Sequence, residues 1–284
     1  MHKLYYFSTL LLFFSCNKQE PIPAYLKIEP FTVNADGGAA WQKIPDVWLY
    51  VNTEFLGAYD LPHTIPVLAD GATDIQLFAG IKENGITSTP APYFMMQQFN
   101  QQYTLRPGET TVIKPITAYN FPAVKFAWDL DRTTFDNASA LTFDNRDADA
   151  VLDYRLTTDS AFSGRCLIMP VETAHPLMII ASEPVELPIQ ADKTTWIELH
   201  YLNNVPFVLS LIGSTGTSAE TAPIPVFQFK ATQNGQWNKI YFNITASLAQ
   251  AAQKKYRLYF RTELPNSQNK GFVRLDNVRL IHFK

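Results

Sequence analysis

Carboxylates are numerous in this sequence, with 26 Asp and Glu residues. Asp129, Asp131, Asp136, Asp144, Asp147 and Asp149 crowd one stretch of the chain. Hard oxygens of this kind suit Ca²⁺. The pairs Asp129-x-Asp131 and Asp147-x-Asp149 lack the following acid and glycine of an EF-hand loop. Histidines stand singly at His63, His175, His200 and His282, whereas zinc requires clustered ligands. There is no Gly-x-Ser-x-Gly elbow, no His-Glu-x-x-His, no phosphate-cradling loop and no Cys-x-x-Cys, the spacings that build common hydrolytic and redox sites. The expectation is a protein that is not an enzyme. Sugar binding requires flat aromatic faces beside amides and acids, and Trp128, Tyr201 and Tyr241 are candidates by type. Trp196 and Trp237 stand in alternating strands with apolar neighbours, where burial is the ordinary outcome for tryptophan.

The two cysteines, Cys16 and Cys166, have different surroundings. Met1-His2-Lys3 precedes an apolar run from Leu4 to Phe14, then Ser15-Cys16-Asn17. A basic start and about eleven apolar residues fit a secretory signal better than a spanning helix, which needs roughly 20. A small residue before a cysteine at the end of such a run resembles a lipobox, with looser Bacteroidetes-type residues at Phe13 and Phe14. That resemblance implies cleavage after residue 15, acylation of Cys16 and an outer-membrane lipid anchor. Asn17-Lys18-Gln19-Glu20 resembles the Lys-plus-acid tag of surface lipoproteins, with Gln19 in place of the expected acid. Surface and periplasmic faces both stay open. With Cys16 acylated, Cys166 has no disulfide partner, and its neighbours Leu167, Ile168 and Met169 place it in a buried strand.

Removal of the signal leaves about 270 residues, a length suited to two β domains. The chain is 46% hydrophobic and 13% aromatic, enough to exclude wholesale disorder. Formal net charge is −3 with no basic stripe, which argues against nucleic acid as a partner. Helix formers gather only at Ile244–Lys255, and nineteen prolines interrupt β-branched and aromatic runs. That pattern predicts an all-β protein with many edge strands and loops. Residues 16–24 read as a tether. A first unit, 25–116, carries strands at Tyr25–Val33, Val47–Val51, Thr64–Leu68, Thr73–Phe78, Gln101–Leu105 and Thr110–Lys114. Asn52-Thr53, Asp70-Gly71 and Pro107-Gly108 mark reversals. Over roughly 35 residues from Val47 the unit resembles PEGA-type and similar Ig-like surface modules, which implies a small Ig-like β-sandwich. Ala79–Ile86 and Pro90–Phe94 are similar to a phrase of Bacteroidetes envelope lipoproteins. This stretch is either a connecting loop or a binding loop tipped by Tyr93, Phe94, Met95 and Met96.

A second unit, 121–284, follows Thr117–Asn120, too short for a flexible linker, so the units are expected to pack together. It ends in Gly271-Phe272-Val273-Arg274-Leu275-Asp276-Asn277-Val278-Arg279-Leu280. Trp196–Tyr201, Phe207–Ile212, Gln236–Ile244 and Tyr256–Thr262 precede it in order. The series resembles galactose-binding-like jelly rolls, including many carbohydrate-binding modules. That resemblance implies a jelly-roll β-sandwich and a structural calcium whose ligand in the closing strand is Asp276, with Asp136 and Asp144 as partners from the acidic stretch. Fold alone does not assign function. Two readings remain. One is a membrane-anchored accessory subunit contacting an envelope protein complex, and the other is a glycan-binding lipoprotein of a polysaccharide-uptake system.

Overall fold

The computed structural model describes residues 20–34, 42–149, 151–188, 193–216, 219–232 and 234–284. The signal, Cys16 and the tag at residues 17–19 lie outside these, as do Thr217 and Ser218 of the polar loop that begins at Gly213.

In the first unit, β1 (Ala24–Ile28), β5 (His63–Val67) and β9 (Thr110–Ile113) form a sheet of order β5-β1-β9, with β1 and β9 parallel. A second sheet packs on it. It holds β3 (Asp46–Val51), β4 (Glu54–Asp60), β6 (Gly71–Lys82), β7 (Pro90–Pro92) and β8 (Phe99–Leu105). Period-2 alternation fills the space between them with Leu26, Ile28, Val47, Leu49, Ile75 and Leu77, all fully buried. The expected single strand from Tyr25 to Val33 is two. It breaks at Pro30, which has no N–H to give a ladder, and β2 (Thr32–Val33) leaves to pair in parallel with β10 (Ile116–Thr117).

The second unit is a jelly-roll sandwich. One sheet runs β13 (Arg155–Thr157), β14 (Cys166–Glu172), β21 (Lys270–Phe283), β16 (Thr195–Asn203), β19 (Asn238–Asn243), and β11 (Val124–Phe126) extends it on the far half of β21. The facing sheet runs β12 (Phe143–Asn145), β15 (Leu177–Ser182), β20 (Lys255–Glu263), β17 (Phe207–Ser214), β18 (Ile224–Phe229). Two short helices complete it, α1 (Leu130–Thr133) and α2 (Thr245–Ala251), the latter inside the stretch of helix formers and ended by Ala252 in the left-handed region. Cys166 is fully buried, and burial pushes its thiol up to about 11, so it is an inert strand residue.

The units pack together through the outer face of the β16–β19–β21 sheet. Tyr93, Met95 and Met96 from the first unit and Tyr119 from the connection meet Trp196, Tyr241 and Ile281 from the second, all buried. Glu83 forms a bridge with Tyr241, and the Asn84 amide donates to the Tyr241 carbonyl at 2.9 Å.

Candidate functional site

The residues singled out for sugar contact are core residues or nearly so. Trp128 is 5% exposed and Tyr241 2% exposed, while Tyr201 is half-buried against Phe207 and Phe229. Of the loop Tyr93–Met96, only Phe94 faces solvent, at 51% exposure; the other three plug the junction between the units.

A different set of aromatics is presented outward. Strand β3 reads Asp-Val-Trp-Leu-Tyr-Val, with Val47 and Leu49 facing the core and Trp48 and Tyr50 facing out. Cross-strand register sets Trp48 beside Phe78 and Tyr50 beside Phe55. The rings run on continuously: Trp48–Phe55 at 5.2 Å and 23°, Tyr50–Phe55 at 5.1 Å, Tyr50–Phe78 at 5.5 Å, Phe78–Phe94 at 5.5 Å. Phe55 is half exposed. The Trp48 indole N–H has no hydrogen-bond partner among the described residues. One register step along, the same face turns polar. Gln76 pairs with Tyr50 and Asn100, and Gln102 donates to Asp74 at 3.0 Å. A sheet face left to water carries polar residues. Five adjoining aromatic rings edged by amides and one carboxylate make a surface that can stack on an apolar face and hydrogen-bond at its margin.

Beneath the junction lies a buried ionic hub. Glu198 on β16 is fully buried. One carboxylate oxygen accepts from the Tyr93 hydroxyl at 2.6 Å and the Tyr119 hydroxyl at 2.8 Å, and the other from Lys239 Nζ at 2.6 Å. Lys239 also donates to Gln42 at 2.8 Å, and Arg279 donates to the Tyr119 oxygen at 3.2 Å and to Asn277 at 3.1 Å. Burial alone would raise the Glu198 carboxyl, but the charges of Lys239 and Arg279 outweigh it and hold the group below its usual range. Every polar group of this carboxylate is spent inside the protein, so the hub fastens the two units together.

The three acids expected to hold calcium are placed differently from one another. Asp276 is 1% exposed, and one oxygen accepts from the Asn277 amide at 2.7 Å while Oδ2 has no hydrogen-bond partner among the described residues. Burial, with Asp136 nearby, pushes its carboxyl up to about 8 against the pull of the Asn277 and Ser163 amides. Asp136 accepts from the Arg165 amide at 2.7 Å. Asp144 lies on β12 in the facing sheet, paired with Arg257 at 2.7 Å and Arg146 at 3.4 Å. Asp276 and Asp136 thus come together without Asp144. Among the described residues no three His, Cys, Asp or Glu side chains gather as a metal site. The donor chemistry still fits a hard cation. A buried carboxylate oxygen with no partner is costly as a bare charge, and Ca²⁺ completes its shell with backbone carbonyls, amides and water.

Gly164 keeps this corner open. Its φ is +52°, and a Cβ there would stand 1.9 Å from Asp136 Oδ1. Gly164→Ala is expected to lower unfolding stability by at least 1–2 kcal/mol from the left-handed backbone alone, read as a lower urea midpoint. An unchanged midpoint would refute that account of the corner.

A scan against protein-family models finds no match, and a search of curated proteins finds none. Among solved structures, the chain is similar to carbohydrate-binding modules of the β-sandwich superfamily at 12% identity. That match covers 87% of this chain and 86% of that one, with a TM-score of 0.37. A family 61 carbohydrate-binding module in complex with β-1,4-galactotriose matches at 10% identity over 55% of this chain and 97% of that one, TM-score 0.36. The enzymatically active domain of bacteriophage CBA120 tailspike protein 4 matches at 10% identity and TM-score 0.40. It is covered over 25% of its length by 61% of this chain. At such scores the likeness bears on neither ligand nor mechanism. By its own strands, the chain is an all-β protein, a small Ig-like sandwich followed by a jelly-roll sandwich.

Proposed function

We propose that the chain is a non-catalytic, membrane-anchored glycan-binding protein whose platform is the outward aromatic row Trp48, Tyr50, Phe55, Phe78 and Phe94. The row carries this reading. Apolar ring faces suit the C–H faces of a sugar, and Gln76, Asn100, Gln102 and Asp74 at its edge suit hydroxyls. Lys82, further along β6, has its charge paired with Asp46 at 2.7 Å and Asp60 at 3.0 Å, which favours an uncharged glycan. The anchor rests on the signal-like N-terminus and Cys16. Calcium at Asp276 and Asp136 would neutralise two facing carboxylates and stiffen the jelly roll, away from the glycan contact.

The test is binding of the detergent-solubilised protein to a panel of neutral polysaccharides, by affinity electrophoresis and calorimetry. Phe55→Ala is expected to weaken binding about tenfold, equivalent to ~1.4 kcal/mol, while leaving the thermal midpoint in place because the ring is already half exposed. Retention of full affinity in Phe55→Ala and Trp48→Ala would remove the row as the platform. An envelope protein seated on the same row is the competing reading. Cross-linking from position 55 to a stoichiometric protein, with no polysaccharide bound, would establish that reading instead.

A further inference from the structure

We infer that one end of the first sandwich rests on the bilayer that holds the anchor. This rests on the proposed acylation of Cys16. The fold starts at that end: Pro21–Pro23 leads into β1, and the Gly108 amide donates to the Pro23 carbonyl at 2.9 Å. Two other turns meet there, Leu68–Asp70 before β6 and Arg106–Gly108 before β9. Together they line a shallow hollow of Pro21, Ile22, Leu68, Ala69 and Pro107. Its apolar members face water: Leu68 is 70% exposed and Ile22 61%, the two largest values after Val151 among the large hydrophobics described. Scattered exposed apolar residues are ordinary; two such residues side by side with exposed prolines form a patch.

Chain length selects the occupant. Pro21 is five residues beyond Cys16, so full extension separates them by at most about 17 Å. A headgroup layer takes roughly 6 Å of that on each side of the hydrocarbon. The end bearing Ile22 and Leu68 therefore cannot leave the membrane surface, and tethering makes even a weak apolar contact frequently occupied. Asp70 lines the same hollow, Glu54 shares the adjoining cleft with Leu68 and Ala69, and Arg106 is paired with Glu109 at 3.8 Å. The lipid that suits it is zwitterionic, with the apolar side chains entering the interface and the acids held at headgroup level. The second unit then lies on the far side of the first from the membrane.

The experiment uses the full acylated protein in phosphatidylcholine vesicles carrying spin-labelled lipid. A thiol-reactive fluorophore is placed at Leu68→Cys, or at Asn266→Cys in the turn between β20 and β21. The introduced thiol is the one that labels, because Cys166 is buried and acylation consumes the Cys16 thiol. Quenching at position 68 at least threefold greater than at position 266 is expected. Fluorophore at Pro107→Cys should also be quenched, and less so when Ile22→Ser and Leu68→Ser are added. Equal, weak quenching at 68, 107 and 266 in a protein that floats with the vesicles would overturn the inference and leave the anchor standing. A protein that does not float, with no diacylglyceryl mass on its Cys16 peptide, would remove the anchor and the membrane contact with it.

Discussion

Glu198→Ala is expected to destabilise the protein by about 3–5 kcal/mol, a fall in thermal midpoint on the order of 10 °C. The cost does not come from losing attractive contacts in proportion to their number. It comes from leaving Lys239 buried without its salt-bridge partner, and the Tyr93 and Tyr119 hydroxyls without their acceptor. Lys239→Met added to Glu198→Gln should recover part of the loss, because it removes one stranded cation rather than a contact. The hub joins Gln42 and Tyr93 of the first unit, and Tyr119 of the connection, to Glu198, Lys239 and Arg279 of the second. Its loss should therefore also split a single unfolding transition into two. The pH dependence has a definite sign. The Glu198 carboxyl is held below its ordinary value of 4.5 in the fold. Its contribution is present above about pH 4.5 and disappears as pH falls through the lower folded value. Glu198→Gln should flatten that acid limb of the stability profile. A midpoint within 2 °C of the parent, with the acid limb unaltered, would mean the hub is incidental to stability.

The hub also shows where sequence reading reaches its limit. In Trp-Ile-Glu-Leu-His-Tyr, from Trp196 to Tyr201, alternation puts Ile197 and Leu199 inside and Trp196, Glu198 and His200 outside. That division is right for one sandwich alone. The first unit then covers the outer face, and a position that pattern assigns to water becomes the most deeply buried carboxylate. Tyr241, singled out as a binding residue, stands next to Glu198 on that covered face. Nothing local in either strand signals the cover, which comes from residues 79 to 198 positions earlier. The all-β class was legible because it depends on local events: a β-branched and aromatic run in Val47–Val51, alternation in Thr73–Phe78, and reversals at Asn52-Thr53 and Pro107-Gly108. The aromatic row has a local signal. In β3 both phases of the alternation are apolar, which in a sheet facing water on one side marks a surface with a partner.

Calcium at a millimolar level is expected to raise the thermal midpoint of the parent by several degrees. Saturation a hundredfold above the dissociation constant corresponds to about 2.7 kcal/mol. Asp276→Asn should abolish that response. The argument rests on charge. A carboxylate that is 1% exposed, with one oxygen lacking a partner and Asp136 nearby, does not stay ionised without help. A proton or a cation must neutralise it. In chelator the proton does so: the folded value is raised from 3.8 to about 8. The contribution of this group is then full below pH 3.8 and is lost as pH rises through about 8, opposite in sense to Glu198. Metal-free parent protein should therefore be most stable between those limits, near the pH where Glu198 is already ionised and Asp276 still protonated. At pH 9 in chelator, Asp276→Asn should unfold at a higher temperature than the parent, since the amide places no charge in the site. With calcium the order should reverse, because only the carboxylate can bind the ion. If the parent shows no calcium response while Asp276→Asn is still the more stable at pH 9, the proton alone keeps Asp276 neutral and the jelly roll holds no cation there. If neither calcium nor the substitution changes the midpoint, the buried oxygen is solvated and the electrostatic account of this corner fails.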